Sequence, residues 1–141
     1  MSNTTLVHVG VAATDLERSL RFWRDVLGLR VLEDRGGLVV LTDGAHNFTV
    51  FRYHGDRPPH VAGHPSYLHI GVQVADLADT LRRCTVLGLE IICDDIDDCR
   101  PYDPANPPTQ SFKVQDPDGI VVDVTASGDQ WLGVTPHERI S

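Results

Sequence analysis

Residues 6–16 read LVHVGVAATDL, and residues 67–77 read YLHIGVQVADL. When the histidines are aligned, both stretches carry His, Gly, Val, Asp and Leu at the same positions. The likeness continues into a helix-like run that ends in LGL each time, at residues 27–29 and 87–89. A solenoid needs about three repeats or more, so two similar units predict a paired, duplicated domain instead.

Local signals in the first unit predict a strand followed by a helix. VHVGV alternates in the manner of a strand. Thr14 and Glu17 form a capping box, which predicts that a helix begins there. Apolar residues then recur at helical spacing and form one stripe: Leu16, Leu20, Trp23 and Leu27. Gly28 is expected to end the helix in the left-handed conformation.

The second unit repeats this pattern, with Asp76 as the predicted cap and Gly88 as the predicted helix end. Short β-rich segments follow the helix in both units. The sequence therefore predicts an α+β fold with two β-α-β-β-β modules. We place module one at residues 5–54, a Pro- and Gly-rich linker at 55–65, module two at 66–126, and an unassigned tail at 127–141.

Composition excludes some partners. The chain has 141 residues and a net charge of −8, which disfavours nucleic acid and anionic membrane surfaces. The N-terminal residues do not read as a signal peptide, and no stretch is apolar enough to span a membrane. An odd number of cysteines without a secretory signal predicts reduced thiols at Cys84, Cys93 and Cys99. We therefore expect a cytoplasmic protein.

Strand alternation indicates where the polar residues of the strands point. The valines around His8 are expected to pack on the helix, so His8 faces the other way, and the same holds for His69. Asp123 lies on the corresponding face of an apolar strand, where a carboxylate is costly unless a cation compensates it. Each residue taken singly is more often an ordinary structural polar group. The hypothesis of a metal site rests on their shared face and on the repeat.

The motifs VHVGVAATDLERSLRFWRDVLGL, YLHIGVQVADL and FKVQDPDGIVVDV resemble the vicinal oxygen chelate superfamily. Its members include glyoxalase I, methylmalonyl-CoA epimerase, extradiol dioxygenases, fosfomycin-resistance enzymes and bleomycin-binding proteins. The resemblance covers roughly residues 5–126. It implies that the two modules form a curved mixed sheet around a metal cleft, to which each module brings one histidine.

The resemblance also implies a ligand set. By position, His8, His69 and Asp123 match the family's metal ligands, with Asp123 standing where the family usually has Glu. Two histidines and one carboxylate form the facial triad of non-haem Fe(II) sites, so Fe(II) is favoured over Mn, Zn or Ni. Glyoxalase I has a further Glu in the last strand of its first module. Here that position is expected to be Thr49, and residues 45–55 contain no carboxylate.

We therefore expect a metal-dependent enzyme that binds a small substrate through two adjacent oxygens, with a dioxygenase of extradiol type favoured. One alternative is a glyoxalase-like lyase or isomerase, and another is a metal-free drug-binding resistance protein. Position alone makes four residues candidates for the acid or base: His46, Tyr53, His54 and Tyr102. Family members of this length are often dimers, so a homodimer is expected.

Overall fold

The computed structural model describes residues 6, 8–53, 68–96 and 98–127. The chain divides into two compact units, Met1–Pro59 and His60–Ser141. Each unit contains strands and one helix in the order β-α-β-β-β, which confirms the predicted α+β fold and its two modules. The predicted linker lies outside the described residues, and so does the tail apart from its first residue. No helix among the described residues is long and apolar enough to cross a membrane.

The first unit contains a four-stranded mixed sheet with the strand order β1-β4-β3-β2. β1 pairs with β4 in parallel, and the other neighbours are antiparallel. The elements are β1 (His8–Ala13), α1 (Leu16–Leu20) with a π-helical continuation (Arg21–Val26), β2 (Arg30–Asp34), β3 (Leu38–Thr42) and β4 (Asn47–Arg52).

The second unit repeats this sheet, with the order β5-β8-β7-β6 and a parallel pair formed by β5 and β8. Its elements are β5 (His69–Gln73), α2 (Leu77–Val86), β6 (Ile91–Cys93), β7 (Ser111–Gln115) and β8 (Val121–Thr125). In both units the first strand therefore lies beside the last strand, so residues distant in sequence become neighbours on one sheet face.

Both helices begin at an aspartate. The Asp15 Oδ1 atom accepts a hydrogen bond from the Arg18 N–H at 3.1 Å, and Asp76 Oδ1 accepts one from the Asp79 N–H at 2.9 Å. The predicted cap at Asp76 is confirmed, whereas the predicted start at Thr14 is wrong by one residue. A short carboxylate side chain at the N-cap satisfies the otherwise unpaired N–H groups of the first turn.

The π-helical turn accounts for a difference in length between the two helices. Leu16 and Gly28 are 12 positions apart, whereas Leu77 and Gly88 are 11 apart. In the first unit the Leu27 N–H donates to the Phe22 carbonyl at 3.0 Å, which is a π-type bond. The wider turn absorbs the additional residue. Gly28 and Gly88 then end their helices with nearly equal φ values of 79° and 78°, as predicted.

Each unit buries the helix-facing side of its sheet. In the first unit Trp23 is fully buried, with its ring centroid 4.9 Å from that of Phe22 and 4.4 Å from that of Phe48. The core of the second unit comes mainly from α2, β7 and β8, with Leu81, Cys84, Phe112, Val114, Ile120, Val122 and Val124. β8 is buried along both faces, so Asp123 lies in a largely dry environment.

Two of the three cysteines form a disulfide, so the prediction of three reduced thiols is wrong. Cys93 ends β6, and the following loop returns to bring Cys99 to a Cα–Cα distance of 4.9 Å. A hydrogen bond of 3.1 Å from the Asp94 N–H to the Arg100 carbonyl closes the same loop. Whether two cysteines pair depends on the local path of the chain, which the number of cysteines does not determine. With this disulfide, the cysteines no longer support a reducing compartment.

Thiol labelling is expected to distinguish the three cysteines. Burial raises the pKa of the Cys84 thiol to about 12, so the thiol stays protonated at neutral pH and is inaccessible to reagents. We expect iodoacetamide to label no cysteine in the native protein, one after denaturation without reductant, and all three after reduction. Mass spectrometry counts the adducts. Three adducts without reductant would contradict the disulfide.

Candidate metal centre

In the second unit, a histidine and a carboxylate meet on one sheet face. β5 and β8 run in parallel with Gly71 opposite Asp123, and His69 lies two residues before Gly71 on the same face. The His69 Nε2 atom is 2.5 Å from Asp123 Oδ2. The His69 side chain is 37% exposed, so this imidazole also contacts solvent. The alternation in sequence predicted the shared face, and the strand pairing brings the two groups together.

The Asp123 carboxylate is buried and only partly satisfied. Its side chain is 6% exposed, and its Oδ1 atom is buried without a hydrogen-bond partner. Lys113 Nζ lies 3.9 Å from Oδ1, which is too long for a hydrogen bond. A buried carboxylate oxygen without a partner carries a large desolvation cost. This observation supports a compensating cation at Asp123.

The donor set of the second unit suits a divalent ion. An imidazole nitrogen and a carboxylate oxygen are ligands that Fe, Mn, Zn and Ni accept, and Asp123 Oδ1 retains free lone pairs. No group of three or more His, Cys, Asp or Glu residues comes together within the part of the chain that the structure describes. The second unit therefore offers two protein ligands, and a stable ion there needs at least one more.

The first unit repeats this arrangement with one substitution. His8 begins β1 as His69 begins β5, and Gly10 lies opposite Thr49 as Gly71 lies opposite Asp123. Thr49 therefore takes, in the first unit, the place that Asp123 takes in the second. The first unit has a histidine at this face but no carboxylate at the position that matches Asp123. The Glu33 carboxylate lies on the same face two strands away, on β2, where it pairs with Arg35 at 2.8 Å.

Hydrogen bonds fix the orientation of the His8 ring. The His8 Nδ1 atom is 2.5 Å from Asn47 Oδ1, and the Thr49 hydroxyl donates to the same oxygen at 2.8 Å. Because an amide oxygen only accepts, Nδ1 donates this hydrogen bond, and in a neutral imidazole Nε2 then has the lone pair. Metal-binding histidines commonly donate their other ring N–H to a carbonyl or carboxylate in this way. The His8 environment is therefore suited to ligation through Nε2.

The same face of the first unit forms a concavity of about 700 Å³. Its wall combines the polar residues around His8 with apolar side chains and one arginine: His8, Gly10, Arg35, Leu38, Val40, Asn47, Thr49 and Phe51. A Cβ atom on Gly10 would lie 3.4 Å from His8 Nε2 and 3.7 Å from the Phe51 ring. Glycine therefore keeps the space beside Nε2 open.

Three of the four acid–base candidates lie among the described residues, and each is described within its own unit. Tyr53 follows β4, where its N–H donates to the Ala13 carbonyl at 2.8 Å, and it does not line the concavity of the first unit. Tyr102 lies half-buried in the loop between β6 and β7. His54 lies outside the described residues. His46 Nδ1 is 2.9 Å from Asp43 Oδ2 in an exposed turn.

The contact with His46 is a local turn interaction. Burial raises the pKa of Asp43, but hydrogen bonds from His46 and from the backbone N–H groups of Ala45 and His46 outweigh it and hold that pKa at about 2. This is the pattern of an aspartate that closes a turn. It gives His46 a structural role.

Two polar residues of these faces were missed by the sequence reasoning: Asn47 beside His8 and Lys113 beside Asp123. Lys113 takes one of the polar positions of the alternating segment SFKVQ, and this alternation was a usable signal for its face. The sequence carried no such signal for Asn47, because its contact with His8 depends on the register of β1 against β4.

Comparisons with known proteins agree with this architecture. The model of the Glyoxalase/Bleomycin resistance protein/Dioxygenase superfamily matches residues 5–124. The chain is similar in structure to oxidase ChaP-H2, with a TM-score of 0.63, 23% identity, and coverage of 87% of this chain and 93% of the other. It is also similar to the fosfomycin resistance protein FosX from Mesorhizobium loti, with a TM-score of 0.60, 21% identity, and coverage of 89% and 93%.

A third similar structure is a mutant of the fosfomycin resistance protein FosX from Listeria monocytogenes, complexed with Mn(II), with a TM-score of 0.59 and 12% identity. The match covers 89% of this chain and 91% of that one. No curated protein sequence matches the chain. At these identities the structural likeness establishes the fold.

Proposed function

The chain belongs to the glyoxalase/bleomycin resistance protein/dioxygenase superfamily, and on that premise we propose that it is a metal-dependent enzyme acting on a small molecule. The observation that carries the proposal is the buried Asp123 carboxylate, which has one oxygen 2.5 Å from His69 Nε2 and the other without a hydrogen-bond partner. A bound divalent ion would hold two adjacent oxygens of the substrate and stabilise the substrate's negative charge.

His8 is proposed as the third protein ligand. Two features support this assignment: His8 takes the same place in its unit as His69 does in the second, and its Nδ1–H bond to Asn47 leaves Nε2 free. The three residues would form a set of two histidines and one carboxylate. Fe(II) is the ion we propose for it, because this set leaves coordination positions open for substrate oxygens and dioxygen.

The proposed reaction is the oxidation of a catechol or enediol by dioxygen, of the extradiol type. The presence of Thr49 at the position that matches Asp123 supports this choice, because a proton shuttle between two acids has no acid at that position of the first unit. We propose Tyr53, His54 and Tyr102 as candidates for a supporting acid or base.

We also propose that the protein forms a homodimer. Light scattering coupled to gel filtration tests this proposal.

The experiment that tests the reaction is an oxygen-uptake screen. Protein prepared without a metal-binding tag is loaded with Fe(II) under anaerobic conditions, and a panel of catechols is added with air. We expect oxygen consumption with at least one diol, and none in the matched Asp123→Asn variant. Turnover of a thiohemiacetal by the Zn or Ni form, with no diol consumed, would favour a lyase or isomerase instead.

A metal-free drug-binding protein is the second candidate, and the concavity of the first unit favours it. The concavity has a volume of about 700 Å³, and its wall combines apolar side chains with a few polar groups, as expected for a pocket that takes an organic ligand. Binding of a ligand to this face with no divalent ion bound anywhere on the chain would support this candidate.

Thr49 is expected to be dispensable for metal binding. Thr49→Ala removes one donor to Asn47 Oδ1 but leaves the His8 Nδ1 bond intact, so we expect the metal affinity to change by less than about threefold. Thr49→Glu places a carboxylate where the second unit has Asp123, and we expect tighter binding. Calorimetric titration of both variants measures these affinities. Loss of the ion in Thr49→Ala would mean that this hydroxyl is itself a ligand.

A further inference from the structure

A lysine accompanies the candidate metal ligands in the second unit. Lys113 lies on β7 directly opposite Asp123 on β8, and its side chain is 19% exposed. The equivalent pair in the first unit is Val40 opposite Thr49. The second unit therefore carries a positive charge at a position where the first unit has an apolar side chain.

Lys113 lies beside Asp123, but the two groups do not form a hydrogen-bonded ion pair. The distance of 3.9 Å from Nζ to Oδ1 leaves both the ammonium hydrogens and the carboxylate oxygen available to a further group. The side chain is mostly covered and its ammonium group lies close to a buried carboxylate, so an anionic partner that can reach both this group and a bound ion is favoured at this point. The strand pairing holds the lysine stem next to the carboxylate and restricts where the ammonium group reaches.

The charges of these groups limit which substrates fit. A divalent ion with two neutral imidazoles and one carboxylate keeps one positive charge, and Lys113 adds a second. A substrate that is neutral or carries a single negative charge leaves one of these charges uncompensated in a poorly solvated place. A substrate with two negative charges on adjacent oxygens compensates both.

We propose that Lys113 is a substrate-binding residue that selects dianionic oxygen chelates over monoanionic ones. This inference deepens the proposed function and rests on the metal site that it assumes. It assigns the substrate class as a small molecule with two ionised adjacent oxygens, or with one ionised oxygen next to a carboxylate.

Two small probes separate the charge from the chelate geometry. Oxalate and glycolate both present two adjacent oxygens, but oxalate carries two negative charges and glycolate one. Their affinities for the Mn(II)-loaded protein are measured by calorimetry. We expect Lys113→Met, which keeps the length of the side chain, to lower the oxalate affinity by more than about tenfold and the glycolate affinity by less than about threefold. Lys113→Arg should retain most of the oxalate affinity.

The same variant provides a readout that does not depend on any ligand. Removing the ammonium group from beside Asp123 removes its repulsion of the ion, so Lys113→Met should bind Mn(II) several-fold more tightly than the parent. The control is Arg82→Met, which removes an exposed positive charge that pairs with Asp79 on α2. We expect Arg82→Met to leave both affinities unchanged.

The outcomes distinguish the two proposals. If the parent binds Mn(II) and Lys113→Met binds oxalate as tightly as the parent does, Lys113 does not select the substrate, while the metal site stands. If oxalate and glycolate lose affinity equally, the lysine contributes no discrimination by charge, and the inference is overturned. If the parent binds no divalent ion, the metal site fails and the inference fails with it.

Discussion

Replacing Asp123 with alanine is expected to weaken divalent-ion binding by more than about 100-fold. Removing residues that only orient metal ligands costs about 10–100-fold, and Asp123 is the one anionic ligand of the proposed set. Its Oδ1 atom is also buried without a hydrogen-bond partner, so this oxygen is available to an ion. Titration with Mn(II), followed by calorimetry, gives the affinity, and circular dichroism checks that the variant is folded.

Asp123→Asn is the matched control for shape. It keeps the size of the side chain and an oxygen near His69 but removes the negative charge, so we expect a loss of affinity close to that of the alanine variant. An Asp123→Ala protein that is folded and binds the ion as tightly as the parent does would remove the carboxylate from the ligand set.

Replacing Trp23 with alanine is expected to lower the free energy of unfolding by about 3–5 kcal/mol. Trp23 is fully buried between Phe22 and Phe48, so its removal loses both the apolar contacts and the packing of the surrounding rings. Urea denaturation followed by circular dichroism measures the change.

The control for this substitution is Val86→Ala on α2. Val86 is 78% exposed, so its truncation should change the free energy of unfolding by less than about 0.5 kcal/mol. A change of less than about 1 kcal/mol in Trp23→Ala would mean that the ring is not part of the packed core of the first unit.

The two modules could be predicted because both copies of the repeat show the same strand alternation followed by the same helical spacing of apolar residues. The repeat itself could also have corrected the start of the first helix, since Asp15 aligns with the predicted cap Asp76 whereas Thr14 aligns with an alanine. It could likewise have indicated the π-helical turn, because the first helix has one more residue between its matching ends. Internal comparison was therefore more informative than the capping-box signal.

The candidate site was only partly predictable. Alternation along a strand indicates which face a side chain is on, so His69 and Asp123 could be assigned to one type of face. Their contact depends on which strands pair and in which register. Lys113 lies on the same face because β7 pairs with β8 in an antiparallel register that places Lys113 opposite Asp123. The disulfide between Cys93 and Cys99 depends on the path of a short loop, which composition does not determine.

The most direct test of the account is a comparison of Mn(II) binding by His8→Ala and His69→Ala. We predict one ion per chain for the parent, and a loss of affinity of more than about 100-fold in both variants, because the repeat gives the two histidines equivalent places. If His69→Ala loses the ion but His8→Ala binds it as the parent does, the ion belongs to the second unit alone. The proposed set of His8, His69 and Asp123 would then be contradicted.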